Sequence, residues 1–237
     1  MGITTGLKAP VFEIGFKAYL HGNEALEVAK AADRISADYG VPIILSPQYV
    51  DIARISNETE GLLVFAQHCD SIETGRGVGS ILPEAIKGAG AAGVMLNHAE
   101  RRMTLSEIAR TLKRAGEVGL MTMVCADTPE EAIAVAQFHP DVILTEPPAL
   151  IGSGGWAGVT DAAEYVSQSI KMVKNVDPRI VVLSGAGIRN GDDVKQIIET
   201  GADGTGACTA IVKAADPAGM IEEMVSALKE AWNKGER

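Results

Sequence analysis

A chain of 237 residues that is 46% hydrophobic has enough apolar material to bury a full core. Only 4% of it is aromatic, so that core must be built from Val, Ile, Leu, Ala and Met, the palette of parallel strands covered by helices. The net charge of −10 argues against a nucleic acid or an anionic membrane as partner, since either calls for a dense basic face; a small anionic substrate in a locally positive site stays open.

In chain order, short apolar runs alternate with amphipathic segments. The runs are VFEIGF (11–16), VPIILS (41–46), LLVFAQ (62–67), GVMLN (93–97), LMTMVC (120–125), DVILTE (141–146), IVVLSG (180–185) and DGTGAC (203–208). Each predicts a strand. The last is the weakest, because glycine lowers strand propensity. Between the first two runs, residues 22–38 place Ala25, Val28, Ala32 and Ile35 on one helical face, widened by Leu26 and Ala29. Residues 217–232 do the same with Ile221, Met224, Val225, Leu228 and Trp232. Helix starts are marked by Thr104 with Glu107 and Thr128 with Glu131, both read as capping boxes, and by Asp216-Pro217.

No linker, charge block or low-complexity tract interrupts this alternation. About eight strand–helix units predict an α/β chain folded as one (β/α)8 barrel domain over residues 1–237, closed and parallel with outer helices. An open doubly wound sheet is the runner-up, and no Gly-x-Gly-x-x-Gly turn follows the first strand to support it. Cys69, Cys125 and Cys208 are far apart, which suggests neither a disulfide framework nor a zinc knuckle and fits a reducing cytoplasm. The start, MGITTGLKAP, lacks a secretory pattern, and no apolar run is long enough to span a bilayer. No metal cluster or cofactor motif is visible.

In such a barrel, chemistry gathers where the strands end. Lys17 follows the first run. Asn97, His98, Glu100, Arg101 and Arg102 follow the fourth, and Glu146 ends the sixth. SGAGI (184–188) follows the seventh and CTA (208–210) the eighth. Taken singly, each has a plain structural use: a rim charge, a histidine satisfying a backbone group, a paired carboxylate, a tight turn. Structural roles of that kind are assigned to His21, His68 and His139. Taken together, an acid, a base and a cation beside two turns rich in small residues predict a site for a small phosphorylated ligand. The N–H groups of such turns can converge on one anion, helped by a short helix start after the eighth strand. The stretch LTEPPALIGSGG (144–155) puts a carboxylate at a strand end, then prolines, then glycines. It reads as a base followed by a lid, with a first hinge stiffened by proline and a far end loosened by Gly152 and Gly154.

NHAERR (97–102) resembles the histidine motif of the triosephosphate isomerase family, and LTEPPALIGSG (144–154) resembles its catalytic-base segment and lid. FAQHCD (65–70), GLMTMVCADTPEEA (119–132) and SGAGI are similar to its compact archaeal branch, and the similarity runs over about residues 11 to 230. The resemblance implies a TIM barrel that interconverts glyceraldehyde 3-phosphate and dihydroxyacetone phosphate by enediolate proton transfer. A glutamate base working with a neutral histidine is that family's established pattern. On it, Glu146 is similar to the base, His98 to the imidazole that polarises the carbonyl, Lys17 to the cation beside the enediolate and Glu100 to its supporting carboxylate. Gly15, Ile151, Gly152, Gly185, Cys208 and Thr209 fall where the family meets substrate and phosphate, and residues 147–154 match the lid. A cytoplasmic homo-oligomer, dimer or tetramer, is implied as well.

Several positions depart from the family. Gly15-Phe16-Lys17 stands where Asn-x-Lys is usual, Val78-Gly79 where Thr-Gly is usual, and Cys208-Thr209-Ala210 where the compact branch has Ala-Ser-Gly. Two alternatives therefore stay open: an isomerase of another sugar phosphate, such as a tetrose phosphate, and a non-catalytic binder of a phosphorylated metabolite.

Overall fold

The computed structural model describes residues 6–147 and 162–235. All eight apolar runs form strands, each one or two residues shorter than its run except the fifth, which is as long. They are β1 Val11–Gly15, β2 Ile43–Ser46, β3 Leu63–Ala66, β4 Gly93–Leu96, β5 Met121–Ala126, β6 Val142–Thr145, β7 Val181–Ser184 and β8 Gly204–Ala207. Each pairs in parallel with the next, and β8 pairs with β1, so the sheet closes into a barrel in chain order. The open doubly wound sheet is thereby excluded.

Strand side chains alternate between two layers. Phe12 and Ile14 of β1 face outward into the layer shared with the helices, together with Ile43 and Leu45 of β2. Val11, Ile44, Phe65, Met123, Cys125 and Leu183 fill the barrel itself as a second cluster. Helix α1 (Gly22–Tyr39) buries Ala25, Leu26, Ala29, Ala32 and Ile35 against the outer layer. Helix α9 (Pro217–Lys234) buries Ile221, Met224, Val225 and Leu228. Both faces are the ones that the spacing predicts.

The glycine-rich eighth run is a strand because the closure needs it to be bare. A Cβ on Gly204 would run into the Val11 carbonyl and sit 2.8 Å from the Leu183 side chain. Local propensity loses here to the close approach of β8 to β1. Gly204→Ala is expected to lower the urea midpoint by an amount worth roughly 1–3 kcal/mol, the usual cost of overpacking; an unchanged midpoint would mean that β8 is free to move away from β1.

The helix starts follow the sequence with one difference. Helix α4 (Leu105–Glu117) carries a full capping box between Thr104 and Glu107. On α5 (Pro129–Ala136), Thr128 accepts from the Glu131 N–H, but the Glu131 carboxylate accepts from Asp127 N–H at 2.8 Å, one residue before the cap. Asp216 caps α9 by accepting from Gly219 N–H at 3.0 Å. His139 and His68 meet carboxylates rather than backbone: His139 Nδ1 lies 2.9 Å from Asp177 Oδ2 and His68 Nε2 lies 3.3 Å from Asp70 Oδ1. All three cysteines are free thiols. Among the described residues, no helix is long and apolar enough to cross a membrane.

Candidate active site

The loop after β1 sets Lys17 in a left-handed conformation, with φ of 47°. Such a backbone is uncommon outside glycine and must be held by its surroundings. The hold comes from two side-chain amides: Gln48 and Gln67, at the ends of β2 and β3, both donate from Nε2 to the Lys17 carbonyl. Gln67 also donates to the Ser46 carbonyl at 3.0 Å. Lys17 is thereby aimed across the barrel mouth, where its Nζ donates to Glu100 Oε1 at 2.7 Å. Burial works against its charge, but the hydrogen bond and charge of Glu100 outweigh that and raise its pKa. Glu100 is lowered in turn, chiefly by its hydrogen bond to Lys17.

The segment after β4 is clipped at both ends by Asn97, itself at a φ of 59°. Its Nδ2 donates to the Cys125 carbonyl of β5 at 3.0 Å, and its Oδ1 accepts from Met103 N–H at 3.0 Å. His98 is the next residue. Its Nδ1 accepts from the Glu100 N–H at 3.1 Å, which assigns the proton of the neutral ring to Nε2. Burial, then the charge of Lys17, lowers its pKa below the ordinary 6.5, so the neutral form holds at physiological pH. Arg102 turns away from the cavity to pair with Asp127 and Glu131, so it ties the loop to the start of α5. Arg101 lines the cavity.

Glu146 leaves β6 with its N–H on the Ala126 carbonyl at 3.0 Å. Its Oε2 faces His98 Nε2 at 3.5 Å, too far for a good hydrogen bond, and accepts none from the described residues. Both groups therefore remain available to a ligand in the cavity that they line. Burial pushes the Glu146 carboxyl up to about 6, with Lys17 pulling the other way. Gly185 gives this carboxylate room: a Cβ there would stand 3.3 Å from Glu146 Oε1. Ala186 and Gly187 continue in left-handed conformation, with φ of 66° and 73°. Across from them, Cys208 begins the short helix α8 (Thr209–Val212).

Lys17, His98, Glu100, Glu146, Gly15, Gly185, Cys208 and Thr209 all line one cavity of about 890 Å3. Ile151, Gly152 and the lid positions 148–154 lie outside the described residues. The sequence reading missed Gln48, Gln67, Ser46 and Glu13, which line the same cavity. The rule that found Lys17 would have found both glutamines, since each stands at or just beyond the end of an apolar run. Glu13 left a signal too, as a lone charge inside the first run.

A carboxylate of raised basicity, a neutral imidazole presenting a proton and a fixed ammonium meet at the C-terminal mouth of the barrel. That is a (β/α)8-barrel enzyme of acid–base chemistry on a small anionic substrate. The family model described as triosephosphate isomerase matches residues 10–226. Similar proteins include the triosephosphate isomerases of Methanobacterium bryantii, 41% identical over 92% of this chain and 97% of the relative, and of Sulfolobus acidocaldarius, 43% identical over 97% and 100%. Among solved structures, the triosephosphate isomerase of Bartonella henselae superposes with a TM-score of 0.73, covering 95% of this chain and 100% of that one; at 18% identity it speaks to the fold. The chain belongs to the triosephosphate isomerase family.

Proposed function

We propose that this enzyme interconverts glyceraldehyde 3-phosphate and dihydroxyacetone phosphate through an enediolate. The Glu146 carboxylate takes the proton from the carbon beside the carbonyl. His98 donates from Nε2 to the carbonyl oxygen and passes a proton between the two oxygens. Glu146 then returns its proton to the neighbouring carbon, and the double bond has changed places. Lys17 offsets the negative charge that develops on the oxygens, and Glu100 fixes its ammonium in place. Backbone N–H groups of the turn that opens at Gly185, whose own N–H is taken by the Thr145 carbonyl, and those of Cys208 and Thr209 hold the phosphate, with Ile151 and Gly152 closing over it from the lid segment. Gly15 leaves the wall bare beside the reacting carbons. The working assembly is a cytoplasmic homo-oligomer, a dimer or tetramer, as in the family it resembles.

One observation carries this reading. The acid–base pair of Glu146 and His98 stands unbonded at 3.5 Å in the cavity that Lys17 also lines, so both groups await a ligand. A carboxyl titrating at about 6 is ionised at neutral pH yet more basic than a surface carboxylate, which suits a general base.

The test is a turnover screen of the purified protein across three- to six-carbon sugar phosphates. Triose phosphate is expected to give the highest kcat/KM, rising with pH through about 6 as Glu146 ionises. A four-carbon ketose phosphate turned over in preference would reassign the substrate. Tight binding with no turnover of any sugar phosphate would make the protein a binder.

A further inference from the structure

Among the described residues, the cavity wall holds one carboxyl group that this proton transfer does not use. Glu13 lies in the middle of β1 on the inward side and is only 6% exposed. Two glycines make the space for it. A Cβ on Gly206, its register partner on β8, would sit 2.8 Å from Glu13 Oε2, and a Cβ on Gly15 would sit 3.4 Å from Oε1. Ser46 of β2 donates to Oε1 at 3.3 Å. Oε2 accepts from none of the described residues, and Glu13 lines the cavity that contains Lys17, His98 and Glu146. Gly15 has no side chain to cover this stretch of wall, so the carboxyl of Glu13 is the polar group presented there.

We propose that Glu13 is a substrate-binding residue, donating a hydrogen bond from Oε2 to an oxygen at the reacting end of the sugar phosphate. The inference rests on the isomerase reading of the site and adds to it a group that selects and seats the substrate.

The surroundings of Glu13 keep the proton where the proposal needs it. Glu146 faces it from just beyond β6, Lys17 from the loop after β1, Cys125 from β5 and Cys208 from the start of α8. Burial first, then the charge of Glu146, raises its pKa to about 8 against the pull of Ser46 and Lys17. At neutral pH it is a carboxylic acid with a hydrogen to give. Because Ser46 donates to Oε1, that hydrogen belongs on Oε2. Above about 8 the acid ionises, the donor is lost, and a second carboxylate charge faces an anionic substrate. Neither cysteine titrates in that range: burial pushes Cys208 up to about 12 and Cys125 well above its ordinary value.

The experiment measures kcat/KM for dihydroxyacetone phosphate from pH 5 to 10 in the wild type, Glu13→Gln and Glu13→Leu. The wild type is expected to lose activity as pH rises through about 8. Glu13→Leu, with no donor, is expected to fall roughly 10–100-fold at pH 7, the cost of leaving a substrate oxygen unpaired. Glu13→Gln keeps an N–H donor without an acidic proton, so it should recover about tenfold of that loss and lack the fall at alkaline pH. Equal values for the two variants at pH 7, or an alkaline fall that persists in Glu13→Gln, would reduce Glu13 to a packed acid tethered to Ser46. Should Glu13→Leu not fold, the wild-type and Glu13→Gln profiles decide the matter alone. A wild type that turns over the triose phosphate with no alkaline fall sinks the Glu13 proposal and spares the isomerase reading. A wild type with no turnover sinks both.

Discussion

Glu146→Gln is expected to cut kcat by at least ~10²–10⁴-fold, the usual worth of a general base. The amide has nearly the shape of the carboxylate, so the Gly185 turn that accommodates it need not move. What it lacks is a lone pair basic enough to take a proton from carbon. Substrate affinity should stay near the wild-type value, because in the proposed site the phosphate is held by backbone beyond the ends of β7 and β8. Thermal stability should hold or rise, since the exchange removes a carboxylate from surroundings that disfavour its charge. Single-turnover kinetics beside calorimetric binding of inorganic phosphate separate the two effects. Turnover at the wild-type rate would move the base to another group facing the cavity.

Lys17→Ala is expected to damage both binding and rate. Loss of one preorganised charge at a developing oxyanion typically costs ~10²–10³-fold in kcat, and an anionic substrate also loses a cation from the mouth of its cavity. The damage to folding should be small. Glu100, the partner left behind, is 63% exposed on its side chain, so water can solvate it. A second consequence follows from charge alone. Lys17 depresses the pKa values of both His98 and Glu146. Without it both rise, so the acid side of the kcat/KM profile should move to higher pH. A variant that loses rate with KM and the pH profile unchanged would contradict a charge acting on the substrate and on both neighbours.

Much of this was legible along the chain. The eight apolar runs are the eight strands because a parallel strand buried on both faces has to be apolar nearly throughout. The helical faces of α1 and α9 were legible because spacings of three and four put residues on one side of a helix. Lys17, His98, Glu100 and Glu146 stand out because each ends or follows a run in a barrel whose strand ends share one mouth. What escaped was decided through space. Gln48 and Gln67 stand at strand ends as Lys17 does, but no spacing records that both donate to the Lys17 carbonyl. Arg102 stands among the candidates in NHAERR, yet the start of α5 draws it off to Asp127. Gly204 reads as a weak strand residue, and the nearness of Val11 makes it a needed one.

By itself, then, the sequence determined the order of strands and helices, the closure of a parallel barrel and the positions along the chain that reach its mouth. Those properties depend on local periodicity and on chain order, both written in one dimension. The tertiary structure decided which of those groups touch and how strongly they hold their protons. A carboxyl near 6 at Glu146 and one near 8 at Glu13 come from the same side chain in two burials. Lost solvation and the charges of neighbours distant in sequence set those values, and neither exists until the barrel has closed.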